Sequence, residues 1–156
     1  MQHPYFECIT LVERLHRQFL DVLKVELERS GIQDINNVQS LILYNIGEDE
    51  LTVGELTVRG YYLGSNVSYN LKKMVENGYL VQERSVHDRR SIRVKLSDKG
   101  HHIRNLMNDV FQRHIANFDN SGIPLDKLKD VNTTLKVFER FLTGQVGYSP
   151  LNPIPA

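Results

Sequence analysis

The sequence predicts a mainly helical α+β chain, and three observations carry that reading. Six segments read as helices, from apolar residues at helical spacing or from capping and stop signals. Two short neighbouring segments, residues 80–85 and 92–96, read instead as strands, the second with a clear strand-like alternation. The first and last helical segments hold more apolar surface than one small domain needs, which predicts that they bury it against a second copy of the chain.

The first helix is expected over residues 5–29. Ile9, Val12, Phe19, Val22 and Leu23 recur at helical spacing, Leu11, Leu15, Leu20 and Leu27 widen the arc, and Gly31 stops it. Asn36 or Asn37 can cap a second helix that runs through Ile46 and ends at Gly47. Thr52 and Glu55 have capping-box spacing and open a short third helix. A fourth is expected over 65–77, capped by Ser65 and ended by Asn77 and Gly78. Residues 80–85 then form a strand, 86–89 a polar turn, and the return strand puts Ile92, Val94 and Leu96 on one face and Arg93 and Lys95 on the other. Ser97 caps a fifth helix whose Ile103, Leu106, Met107, Val110, His114 and Phe118 share a face. Pro124 suits the first turn of a sixth. There Leu128, Val131, Leu135, Phe138 and Leu142 alternate in steps of four and three, a heptad seam.

Composition bounds the function. At 156 residues, 24% charged and 40% hydrophobic, the chain reads as one globular domain. No apolar run approaches the roughly 20 residues that span a bilayer. Glu7, Glu13 and Arg14 stand where a signal peptide needs apolar residues, so a cytoplasmic protein without a membrane partner is expected. The single cysteine, Cys8, excludes an intrachain disulfide and a cysteine-rich zinc ribbon. The zero net charge hides an asymmetry. Residues 1–64 hold ten acidic and five basic groups, 65–104 hold four and nine, and 105–156 hold five of each. One basic segment on a neutral scaffold predicts a local contact with a polyanion.

The order of elements then becomes specific. Short helices followed by a hairpin, with positive charge in the last helix and hairpin, make a winged helix-turn-helix with a two-stranded wing. A major groove about 12 Å wide admits one helix with an apolar back and a small, polar, partly basic front. On a helical wheel, Val67, Leu71, Met74 and Val75 form the back of the fourth helix. Ser65, Asn66, Tyr69, Lys73 and Glu76 project opposite, flanked by Asn70 and Lys72, with Ser68 also assigned to the reading face. Asn66 and Tyr69 are placed to read bases, and Lys72 and Lys73 to meet phosphates. In the hairpin, Arg84, Arg89 and Arg90 surround a turn that also holds His87 and Asp88. Asp88 is expected to brace an arginine rather than touch DNA, since its charge repels phosphate.

The run LVQERSVHDRRSIRVKLSDKG resembles the wing of the MarR family of bacterial regulators, where a basic residue opens the loop, Asp-x-Arg closes it and Leu-Thr/Ser-x-x-Gly leads into the next helix. Arg84, Asp88, Arg90 and the segment from Leu96 to Gly100 match those positions. The upstream LTVGEL, the SNVSYNLKKMVENGYL helix and the flanking helices extend the resemblance over roughly residues 5–143. It implies an α+β winged-helix homodimer on double-stranded DNA, binding a pseudo-palindromic operator and most often repressing. In that division residues 5–31 and 101–143 are dimerisation helices, 36–100 the DNA-binding winged helix-turn-helix, and 144–156 a mobile tail. The dimer contacts are expected from Ile9, Val12, Phe19, Leu128, Val131, Leu135, Phe138 and Leu142. RGYYLGSNVSYNLKKMVENGYL resembles, more narrowly, the LdtR branch, associated with cell-envelope remodelling and stress response. Arg59, Gly60, Tyr61 and Tyr62 depart from the general family pattern, and Gly60 weakens a helix interior by about 1 kcal/mol.

Other readings compete. The resemblance also implies a small-molecule effector pocket, which Phe19, Tyr44 and Tyr62 could line, though such residues are more often plain core. Cys8 lies near where peroxide sensors of the family place a reactive thiol, but Leu23 and Asp34 stand near the positions of the activating tyrosines, so a plain thiol is expected. His16 stands on the first helix and His101, His102 and His114 on the fifth, without zinc-ligand spacing, so no metal site is expected. No phosphate loop, nucleophile elbow or paired carboxylates point to an enzyme, and no cofactor is expected. The reading from another class is a winged-helix protein-interaction module without DNA binding, against which the basic residues of the fourth helix and hairpin count.

Overall fold

The computed structural model describes residues 3–58, 65–84 and 91–146, without the side chains of residues 57, 58, 65 and 66. The expected turn at 86–89, the Gly60 region and the tail beyond 146 lie outside the described residues. Among the described residues, six helices and three strands follow in the order α1 (Pro4–Arg29), α2 (Asn37–Ile46), β1 (Leu51–Thr52), α3 (Val53–Val58), α4 (Ser65–Glu76), β2 (Leu80–Arg84), β3 (Ile92–Leu96), α5 (Asp98–Phe118) and α6 (Leu125–Val146).

Local signals account for most boundaries. His3 accepts from the Tyr5 amide at the start of α1, with Pro4 in the first position. Asn36 caps α2 in a capping box: its side chain accepts from the Gln39 amide at 2.8 Å, and Gln39 Oε1 accepts from the Asn36 amide at 3.0 Å. The Thr52–Glu55 box forms as expected, with reciprocal bonds of 2.8 and 3.1 Å. Gly78 ends α4's turn at φ 82°, a left-handed conformation that side chains resist. Pro124 sits one position before the first turn of α6, its carbonyl accepting from the Leu128 amide.

The sheet is larger than the expected two-stranded wing. β1 joins it, giving the order β1-β3-β2, all antiparallel, with Leu51 opposite Val94 and Thr52 opposite Arg93. The two residues that lead into α3 thus also cover one edge of β3. β2 and β3 pair from Leu80 opposite Leu96 to Arg84 opposite Ile92.

The chain divides into two compact units, Met1–Val110 and Phe111–Ala156, with the division inside α5. The first holds the core: Leu23, Leu27, Leu43, Ile46, Met74, Tyr79, Val94, Ile103 and Met107 are among its buried residues. At Gly100 a Cβ would collide with the Tyr79 backbone carbonyl, so the residue before β2 and the start of α5 approach as only glycine permits. Ser97 closes the same corner, its hydroxyl bonding the Gly78 carbonyl at 2.5 Å and accepting from the Gly100 amide at 3.1 Å. In the second unit no residue of α6 is buried; Leu128, Leu135, Phe138 and Leu142 of the seam are half-buried and Val131 is exposed.

Candidate nucleic-acid interface

The helix α4 has an inner and an outer face. Val67, Leu71 and Met74 are buried, while Ser68, Tyr69, Lys72, Lys73 and Glu76 are exposed. On this outer face the Tyr69 side chain is 61% exposed. Lys73 leans toward it, its ammonium 6.0 Å from the ring centroid and 3.6 Å from Glu76. The outer face therefore offers a hydroxyl, an aromatic ring and two ammonium groups, with one carboxylate at its C-terminal end.

Asn70 is a correction to the expected reading face. It is 9% exposed, and its Oδ1 accepts from Gln39 Nε2 at 3.1 Å in a buried bond. The reason is geometric: Asn70 follows Val67 by three residues and precedes Met74 by four, so it shares a face with two buried side chains. It braces α4 on α2 and presents nothing to a groove.

In the hairpin, Arg84 ends β2 and is exposed. His87, Asp88, Arg89 and Arg90 lie outside the described residues, as do Tyr62 and the side chains of Ser65 and Asn66. Lys95 is engaged within the sheet, 3.2 Å from Glu83 and 3.6 Å from Glu50, and these carboxylates raise its pKa. Arg104 at 2.7 Å from Glu48 and Lys99 at 2.8 Å from Asp34 are likewise paired. These three of the nine basic groups counted in residues 65–104 thus pair with carboxylates of the same chain.

The polar cluster at the C-terminal end of α4 has no local signature in the sequence. Asp34, between α1 and α2, accepts hydrogen bonds from the Tyr79 hydroxyl and from Lys99 Nζ. Those donors hold its carboxyl below the usual carboxylate range. Burial, and then the neighbouring carboxylate, push the Tyr79 hydroxyl well above its ordinary value. Asn77 Nδ2 donates to the Asp34 carbonyl at 2.9 Å, and Lys99 Nζ to the Asn77 carbonyl at 2.9 Å.

The other expected sites fall differently. An open groove of about 710 Å³ is lined by Asp21, Lys24, Leu27, Ile32, Ile35 and Asn37, among others, but by neither Phe19 nor Tyr44. Phe19 is exposed and Tyr44 half-buried. Cys8 is half-buried on α1. Among the described residues no three His, Cys, Asp or Glu side chains converge as metal ligands, and no helix is long and apolar enough to cross a membrane. On the terminal helices Val12, Phe19 and Val131 of the expected dimer contacts are exposed and Ile9 is half-buried.

Comparison with known proteins agrees with this geometry. Residues 31–91 match the model of the MarR family. Over 96 residues the chain is 46% identical to the exopolysaccharide II synthesis transcriptional activator ExpG of Rhizobium meliloti, a match covering 62% of this chain and 50% of that protein. The chain thus matches about half the length of that relative. Among solved structures, Streptococcus pneumoniae FabT in complex with DNA superposes with a TM-score of 0.70 at 20% identity, covering 90% of this chain and 99% of the other. Staphylococcus aureus MarR in complex with salicylate and kanamycin gives 0.69 at 24% identity, covering 89% and 93%. The fold is that of a MarR-type winged helix.

Proposed function

We propose that this winged-helix protein is a transcriptional regulator of the MarR family that binds double-stranded DNA in the cytoplasm as a homodimer, with α4 in the major groove. The observation that carries the proposal is the division of α4, with Ser68, Tyr69, Lys72 and Lys73 outward on a back of Val67, Leu71 and Met74. Ser65 and Asn66 extend that face by sequence position, and Arg84, His87, Arg89 and Arg90 supply the wing, with Asp88 as their brace. The DNA complex of FabT supports the same use of the fold.

The dimer reading rests on exposed apolar residues of the terminal helices. Leu11, Leu15, Phe19 and Val22 on α1, and Val131, Val137 and Phe141 on α6, each stand at least one-third exposed in the single chain. Apolar surface of that extent marks an interaction site. A two-fold dimer requires a pseudo-palindromic operator with half-sites about 10 bp apart.

The relatives support a reading of sign and pathway. Repression is the family expectation, whereas the printed name of the 46%-identical relative is that of an activator, so activation is the reading carried forward. That name concerns exopolysaccharide synthesis, and the LdtR-type resemblance concerns the envelope; both support target genes whose products act at the cell surface. A small-molecule effector is supported by the salicylate complex of the S. aureus neighbour. The test is selection from a random duplex pool, followed by a reporter carrying the selected site. Enrichment of a two-fold sequence and loss of reporter expression on deleting the protein would support the proposal. No enrichment would favour an interaction module that does not bind DNA.

A further inference from the structure

A helix that reads bases must be held within about half an ångström of its working position, or its side chains miss the base edges. Here α4 is tied at two points to one short stretch of chain, residues 34–39. At its middle, Asn70 accepts from Gln39, whose other amide atom completes the α2 cap. At its C-terminal end, Asn77 donates to the Asp34 carbonyl. The Asp34 carboxylate then gathers Tyr79 and Lys99, and Lys99 returns to the Asn77 carbonyl while standing 4.2 Å from the centre of the Tyr79 ring. A carboxylate at the end of a reading head disfavours phosphate, so its contribution to DNA binding must come through geometry.

We propose that Asp34 is a positioning residue: its carboxylate, through Tyr79 and through the Lys99 that also bonds the Asn77 carbonyl, fixes the C-terminal end of α4 beside the backbone tie from Asn77, and together with Gln39 it makes residues 34–39 the mount on which the reading helix is set. The inference rests on the DNA-reading role proposed above. The same stretch contributes Ile35, Asn36 and Asn37 to the lining of the open groove.

The test uses the full chain carrying Asp34→Ala, Lys99→Met or both, with two readouts. Hydrogen exchange should quicken at least about tenfold at the amides of residues 73–79 in Asp34→Ala, and stay unchanged at 42–46 and 103–110. Fluorescence anisotropy should show a loss of about fivefold to twentyfold on the selected duplex and less than about twofold on random duplex. Removing a negative charge would by electrostatics alone tighten both. In the double variant, Lys99→Met should add only the loss it causes on random DNA. If Asp34→Ala fails to fold, Asp34→Asn, which keeps an acceptor for Tyr79, should give the same pattern at smaller size. Unchanged exchange across 73–79, or equal tightening on both duplexes, would overturn the proposal. A wild type that does not discriminate between duplexes would refute the DNA reading, and the exchange measurement would still decide whether Asp34 holds α4.

Discussion

Asp34 and Lys99 stand 65 positions apart in the chain, yet their side chains meet at 2.8 Å and join the α1–α2 connection to the first turn of α5. The pair is half-exposed, so its attraction is screened and is worth about 0.3–1 kcal/mol. Its consequence is directional. Asp34 is more acidic folded than unfolded, so its stabilisation is complete above its ordinary value of 3.8 and fades as pH falls through the lower folded value. Tyr79 has the opposite shift, so its contribution is complete below its ordinary value of 10.0 and fades as pH rises beyond it. Thermal melts of wild type and Asp34→Asn should therefore differ on a plateau between these limits and converge toward acid.

Gly100→Ala should destabilise the protein by about 2–4 kcal/mol, because its Cβ would meet the Tyr79 backbone carbonyl rather than a side chain able to move. Gly31→Ala is the control: it has a positive φ of 69° but nothing within 4 Å, and should cost only about 1 kcal/mol of backbone strain. Urea midpoints measure both, and equal losses would mean that the contact at Gly100 is relieved by a shift of α5.

Asn70→Ala should cost about 1–3 kcal/mol, since it leaves the Gln39 amide buried without its acceptor. Ser68→Ala, on the exposed face, should be neutral for stability. A stable Asn70→Ala protein with the affinity for its selected duplex abolished would restore Asn70 to the reading face.

Cys8→Ser should leave DNA affinity unchanged before and after peroxide. Release from DNA by peroxide in the wild type, abolished in the variant, would make Cys8 a sensor after all.

How much could be read from the chain alone depends on the range of each interaction. Caps and stops are written within four residues, and Asn36, Thr52, Glu55, Ser97 and Gly78 behave as their local spacing predicts. Apolar periodicity located the core of α4 and β3 for the same reason. β1 escaped because two residues are too few to show alternation, and Thr52 already had a role as a cap. Asn70 was misplaced because it lies at the edge of the helical wheel, where a polar side chain is read as outward unless its buried partner is known. The Asp34 cluster was invisible. Its hydrogen bonds join residues 43, 45 and 65 positions apart, and no short-range pattern encodes such polar pairings.

Reading by α4 is tested most directly by anisotropy across a salt series on selected and random duplexes. Tyr69→Ala should weaken the selected site by about 1–3 kcal/mol and leave random DNA nearly unchanged, as expected for a side chain at the base edges. Lys72→Ala should weaken both alike and lower the salt slope by about one, as expected for one phosphate contact. Wild-type binding that is independent of salt and equal on both duplexes, with neither variant altering it, would contradict the claim that this helix reads DNA.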